Sequence, residues 1–119
     1  MTELNCANLS GANLTLARLT GADMIEANLA NANLGDAKMI GVNLTRANLF
    51  GANLMEANLI DACLQSADLR QANLTEAKLR GANLQRANLS GACLYEANLQ
   101  NADLTGADLR GTDTAVPCP

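Results

Sequence analysis

The residues of this 119-residue chain with the most intrinsic reactivity are four cysteines, Cys6, Cys63, Cys93 and Cys118, and no histidine accompanies them. A zinc site is built from Cys and His at spacings such as C-x-x-C. That spacing is absent, so the sequence assigns no metal ligand. Ser10, Ser66 and Ser90 have no base at a recognisable distance along the chain, which leaves no activated nucleophile. Four acids, Asp36, Glu56, Glu76 and Glu96, recur at intervals of twenty residues. Paired carboxylates can do general acid–base work only where a cleft holds the substrate against them. The reading is therefore a non-enzyme with no catalytic residue and no cofactor, in which the acids form a candidate recognition strip.

The element that positions these residues is a five-residue repeat. From Ala7 to Gly111 every fifth residue is Leu, except Met24 and Met39, and the residue two before it is Ala, except Val42. On an α-helix five steps turn the chain by about 140°, so the leucines would spiral around the surface. On a straight strand an odd spacing sends successive leucines to opposite faces. The pattern works only if the chain changes direction once per unit. Each Ala-x-Leu then forms a short strand-like piece, Ala and Leu point inward together, and the next two residues make a corner. Repeated turning in one sense closes a coil, and coils stack with backbone hydrogen bonds about 4.8 Å apart. Spacing alone leaves three-sided and four-sided coils both open.

Units such as Ala47-Asn48-Leu49-Phe50-Gly51 and Ala52-Asn53-Leu54 resemble the pentapeptide repeat family, whose motif is A-(N/D)-L-x-x. The resemblance covers nearly the whole chain. It implies an all-β fold, a right-handed quadrilateral parallel β-helix with 20 residues per coil and about five to six coils. Residues 1–114 would form one domain and 115–119 a short frayed tail. Gly at the second corner place, as at Gly41 and Gly51, fits a turn that needs positive φ. Corners without Gly imply a second turn geometry. Counting by twenty stacks Asn into columns and sets Asp36, Glu56, Glu76 and Glu96 on one corner. Lys38 and Lys78, two residues after Asp36 and Glu76, are available to pair with them. Ile40 and Ile60 stack as an outward apolar pair on one wall. These two groups, Ile40 and Ile60 with Asp36, Glu56, Glu76 and Glu96, are the candidate partner-binding residues.

A net charge of -4 disfavours direct nucleic-acid binding, which needs a basic stripe. The absence of an apolar run long enough to span a bilayer disfavours a membrane role, and a cytoplasmic location is expected. On a 20-residue coil Cys63 and Cys93 fall on opposite walls, and Cys6 lies about 14 Å from Cys63 along the axis. The cysteines are accordingly expected to be free thiols. At the N-terminus Leu4, Leu9, Leu14 and Leu19 form an open coil end, a candidate homodimer contact. Thr112, Thr114, Pro117 and Pro119 are expected to stop the stack at the other end. Function narrows to a structural, protein-binding solenoid with an unidentified protein partner. Some members of the family imitate B-DNA and bind DNA gyrase, which makes a DNA-mimicking rod the alternative.

Overall fold

The computed structural model describes residues 2–118. Met1 and Pro119, the second of the two prolines expected to stop the stack, lie outside the described residues. Parallel pairing joins each residue at the Asn place to the one twenty positions on, from Glu3 with Asp23 and Asn8 with Asn28 through to Cys93 with Asp113. A turn falls after every third residue of each unit. Four five-residue units therefore make each coil, and the coil has four sides. No described residue is helical. The strand-like pieces are shorter than the sequence suggests. Only the middle residue of each side is ladder-paired, because the next corner begins before a second residue can join.

Following the backbone hydrogen bonds through one unit explains why five residues suffice. Asn48 N–H donates to Ala27 C=O (2.9 Å) in the coil before, and Leu49 N–H to Asp68 C=O (2.7 Å) in the coil after. Gly51 N–H donates to Arg70 C=O (2.9 Å), and Ala47 N–H closes the preceding turn on Leu44 C=O (3.0 Å). The fifth donor, Phe50 N–H, points away from both neighbouring coils, and the Asn48 side chain accepts it through Oδ1 at 3.0 Å. Asn or Asp does the same for the first corner residue from Ser10 to Ala115 wherever it occupies this place, with Asp23 the exception. There Asn5 Oδ1 takes the Ile25 N–H instead, leaving Asp23 Oδ1 without a partner. The repeat's Asn is thus an Asx-turn device, and it satisfies a donor that the ladder geometry cannot reach. Stacking of Asn along the rod is a minor theme, seen where Asn53 Nδ2 donates to Asn33 Oδ1 at 3.1 Å.

The corners correct one expectation. Every second corner residue from Cys6 to Gly111 has positive φ, whether it is Gly (66–73°) or a residue with a side chain (56–63°). The residue before it does not, which is the signature of a type II turn. There is one turn geometry, not two. Residues such as Arg46, Glu56 and Ser66 hold the left-handed conformation because the ladder and the turn bond fix them there, at a local cost of order 1–2 kcal/mol.

Between Leu19 and Leu94 the Leu and Ala places are buried, with Met24, Met39 and Val42 fully enclosed in their registers. No polar residue is buried with them. Each enclosed Leu contributes roughly 1.5–3 kcal/mol of transfer free energy. The two end coils are different. Leu4, Leu9 and Leu14 at one end, and Leu99 and Leu104 at the other, are half-buried, and Leu109 is 40% exposed. Both ends of the apolar column therefore face outward, not the N-terminal end alone.

Candidate functional site

Asp36, Glu56, Glu76 and Glu96 all stand at the second corner place of one edge and are exposed. The first three amides donate in turn to the coil above, Asp36 N–H to Met55 C=O, Glu56 N–H to Thr75 C=O and Glu76 N–H to Tyr95 C=O, which sets the acids in a single file. Glu76 lies within hydrogen-bonding reach of Glu96, and the Glu56 charge stands on its other side. Together these neighbours raise its carboxyl above the usual carboxylate value. Like charges one coil apart penalise full ionisation.

The expected pairing of this file with Lys38 and Lys78 does not occur. Among the described residues the ion pairs are Arg46 with Glu26 (3.5 Å), Arg70 with Asp68 (2.7 Å) and Arg110 with Asp108 (2.6 Å). Side chains at the Asn place project from the flat of a side, while those at the second corner place project from its edge. The arginines instead reach back two residues, or across one coil along their own corner. The signal for two of these pairs lies in the sequence as Ala-Asp-Leu-Arg at 67–70 and 107–110. Asp68 accepts two side-chain bonds from Arg70 and Asp108 three from Arg110, the first cause of a lowered carboxyl. Asp108 falls to about 2, and Asp68 also falls below its ordinary value. Arg70, held this way, lies over the Phe50 ring at 5.2 Å.

Ile40 is 41% exposed and Ile60 is half-buried. Both occupy the first corner place, so they stand on an edge and not on the flat wall where the sequence put them. Their carbonyls accept from Gly21 and Gly41, which stacks the pair in neighbouring coils. Chain order then fixes the larger arrangement. The segment Asp36-Ala37-Lys38-Met39-Ile40 runs from the acid edge across one side to the isoleucine edge, and Glu56-Ala57-Asn58-Leu59-Ile60 repeats the crossing in the next coil. The two groups singled out in the sequence thus border the same side, with Lys38, Asn58 and Lys78 on the flat between them. The arrangement offers carboxylates along one margin, apolar groups along the other and a polar floor, with no enclosed cleft.

The cysteines require a second correction. Cys93 and Cys118 form a disulfide, with Cα atoms 5.8 Å apart, while Cys6 and Cys63 are free. The coil register ends at Thr114, and Ala115–Cys118 folds back over the side that carries Asn73, Cys93 and Asp113 instead of fraying. Cys118 Sγ sits 3.0 Å from Thr75 Oγ1 and 3.2 Å from Asn73 Oδ1. Beside the disulfide an open depression of about 250 Å³ is lined by Gln71, Ala72, Asn73 and Gly91.

A coil of four equivalent five-residue sides around an aliphatic column defines a repeat solenoid. The family model for pentapeptide repeats matches in 8 copies over residues 2–39, 27–65, 52–91 and 92–113. The chain belongs to the pentapeptide repeat family, whose members are generally non-enzymatic repeat modules. A pentapeptide repeat protein from the Arabidopsis thaliana thylakoid lumen is similar at 32% identity and a TM-score of 0.76, over 82% of this chain and 67% of that one. One from Nostoc PCC 7120 is similar at 35% identity and a TM-score of 0.68, over 95% and 84%. QnrB1, a plasmid-mediated fluoroquinolone resistance protein, shares the fold at 23% identity and a TM-score of 0.51, over 88% of this chain and 59% of that one. Comparison with curated proteins gave no match.

Proposed function

We propose that this chain is a non-enzymatic rod that binds a protein partner along the side bordered by Asp36, Glu56, Glu76 and Glu96 and by Ile40 and Ile60. The observation that carries the reading is that both groups border one side and cross it in the same two coils. A partner laid across those coils would set basic groups against one margin and aliphatic groups against the other. Rigid solenoid faces commonly serve as docking surfaces of this kind. The coil is read as the right-handed quadrilateral β-helix of the family. The exposure of the acids on a convex edge supports a role without catalysis.

Affinity capture from native cells, comparing the native protein with an Ile40→Lys/Ile60→Lys double variant and an Ile25→Lys control, tests the proposal. A partner kept by the native protein and the control but lost by the double variant supports it. A partner kept by all three overturns it. The half-buried leucines of the first coil, Leu4, Leu9 and Leu14, are a second contact we assign to self-association, which light scattering of a Leu9→Lys variant checks.

The DNA-mimic alternative draws less support. The acid file supplies one carboxylate per coil, about every 4.8 Å, whereas B-DNA carries a charge about every 1.7 Å of axis. Lys38 and Lys78 stand on the adjoining side. Inhibition of DNA gyrase supercoiling by micromolar protein would restore this alternative, and unchanged supercoiling would remove it.

A further inference from the structure

We propose that the Cys93–Cys118 disulfide is a redox clamp on the final coil, closed by oxidation and opened by a dithiol reductant. The bond spans 25 residues, and those residues are the last complete coil of the rod together with the tail that returns over it. That coil, like the first, is secured from one side only. Asn98, Asp103, Asp108 and Asp113 donate to Ala77, Ala82, Ala87 and Ala92 below, but the last bridge is Cys93 with Asp113, and nothing pairs from above among the described residues. Its leucines are also incompletely covered, Leu109 most of all. In a solenoid an end repeat has one interface where an inner repeat has two, so it opens first.

The disulfide ties the far end of this coil to the coil beneath. Peeling Asn98–Asp113 away while the bond is intact frees only a closed loop. With the bond cut the same segment becomes a free chain end. A loop of this length restricts the opened state by a factor of order 10² or more. Cys93 is 8% exposed, whereas Cys118 is partly accessible beside the open depression formed with Gln71, Asn73 and Gly91. The structure thus offers Cys118 Sγ to an attacking thiolate. Attack forms a mixed disulfide at Cys118 and releases the Cys93 thiolate. The second thiol of the reductant then displaces Cys118, so that two electrons pass to the protein, both cysteines end as thiols and the reductant ends as its own disulfide. Cys93 occupies an Asn place and gives up the Asx bond to Tyr95 N–H, so its contribution to this side comes through Cys118.

The test uses the full chain, purified without reductant. Thiol labelling followed by mass spectrometry is expected to modify Cys6 and Cys63 only, and all four cysteines after dithiothreitol and denaturant. Hydrogen exchange is then followed with and without dithiothreitol at the amides of Asn98, Asp103 and Asp108, with Asn43 and Asn48 as internal references. Reduction is expected to speed exchange in the final coil by about a hundredfold and to leave the references unchanged. Cys118→Ser, which lies outside the coils, is expected to show the fast exchange in either condition. Four reactive thiols in the unreduced protein would overturn the proposal. So would final-coil exchange that reductant and Cys118→Ser both leave unaltered.

Discussion

Asn43 Oδ1 accepts two hydrogen bonds from Thr45, one from its backbone N–H at 3.1 Å and one from its hydroxyl at 2.6 Å. The same side chain that completes the corner's donor set also orients the residue beyond it. Asn43→Ala leaves the Thr45 N–H without a protein acceptor at a half-buried corner. A loss of about 1 kcal/mol in urea unfolding is expected. Lys38→Ala, at the equivalent place on the next side, has no such bond to lose and is expected to stay within about 0.5 kcal/mol of the native protein.

The aliphatic column predicts a graded response to truncation. Leu54 is fully enclosed in the middle of the rod, while Leu109 is 40% exposed at its end. Leu54→Ala is expected to cost about 2–5 kcal/mol, the range for a cavity in a packed core. Leu109→Ala is expected to cost less than about 1 kcal/mol. Equal losses measured by chemical denaturation would mean that the end coil is covered in solution.

Uniform corner geometry makes an unusual forecast about glycine. Ser66 has φ 58° at a place where Gly41 has φ 66°. Ser66→Gly removes a left-handed penalty of about 1–2 kcal/mol and adds about 0.5–1 kcal/mol of unfolded-chain entropy. A neutral to stabilising change of up to about 1.5 kcal/mol follows. Gly41→Ala is expected to destabilise by about 1 kcal/mol, although an added Cβ would meet no atom within 4 Å. The thermal midpoints of the two variants should move in opposite directions or differ by at least this much.

Acid dependence should carry two opposed contributions. Asp108, held by Arg110 with a carboxyl lowered to about 2 from its ordinary 3.8, stabilises the folded state above the ordinary value. That contribution is lost as pH falls through about 2, and the lowered Asp68 acts in the same direction. Glu76 acts oppositely. Its carboxyl is raised by Glu96 and Glu56, so the folded state holds its proton longer than the unfolded chain does. Stability therefore declines as pH rises from its ordinary 4.5 through the raised value. Glu76→Gln is expected to raise the thermal midpoint at pH 7 and low salt, with the gain shrinking as salt screens the file.

The inward half of this molecule was legible from composition and spacing because every unit repeats the same constraint. Ala and Leu places fall in the column where the register puts them, and Met24, Met39 and Val42 sit in it as conservative substitutes. Outward features were legible by column but not by contact. Lys38 and Asp36 are two residues apart, as are Arg70 and Asp68, yet only the second pair meets. In that pair the acid stands at the Asn place and the cation at the first corner, so both lean the same way. Corner chemistry misled for a related reason. Gly at some corners and Ser66 or Arg46 at others suggested two turns, but the ladder holds all of them in one. The disulfide escaped because the register was applied to cysteines on the rod, and Cys118 lies on a segment that has left it.

Equivalence of the four sides has an evolutionary reading. Removing one five-residue unit, or duplicating one, leaves every aliphatic side chain facing the axis and every corner intact. Downstream of the change, however, the whole exterior is rotated by a quarter turn relative to what precedes it. The file running from Asp36 to Glu96 would be cut and its pieces dealt onto different edges, while the interior registered no disturbance. Slippage in such a gene can thus rewrite what a partner sees without disturbing what holds the protein together.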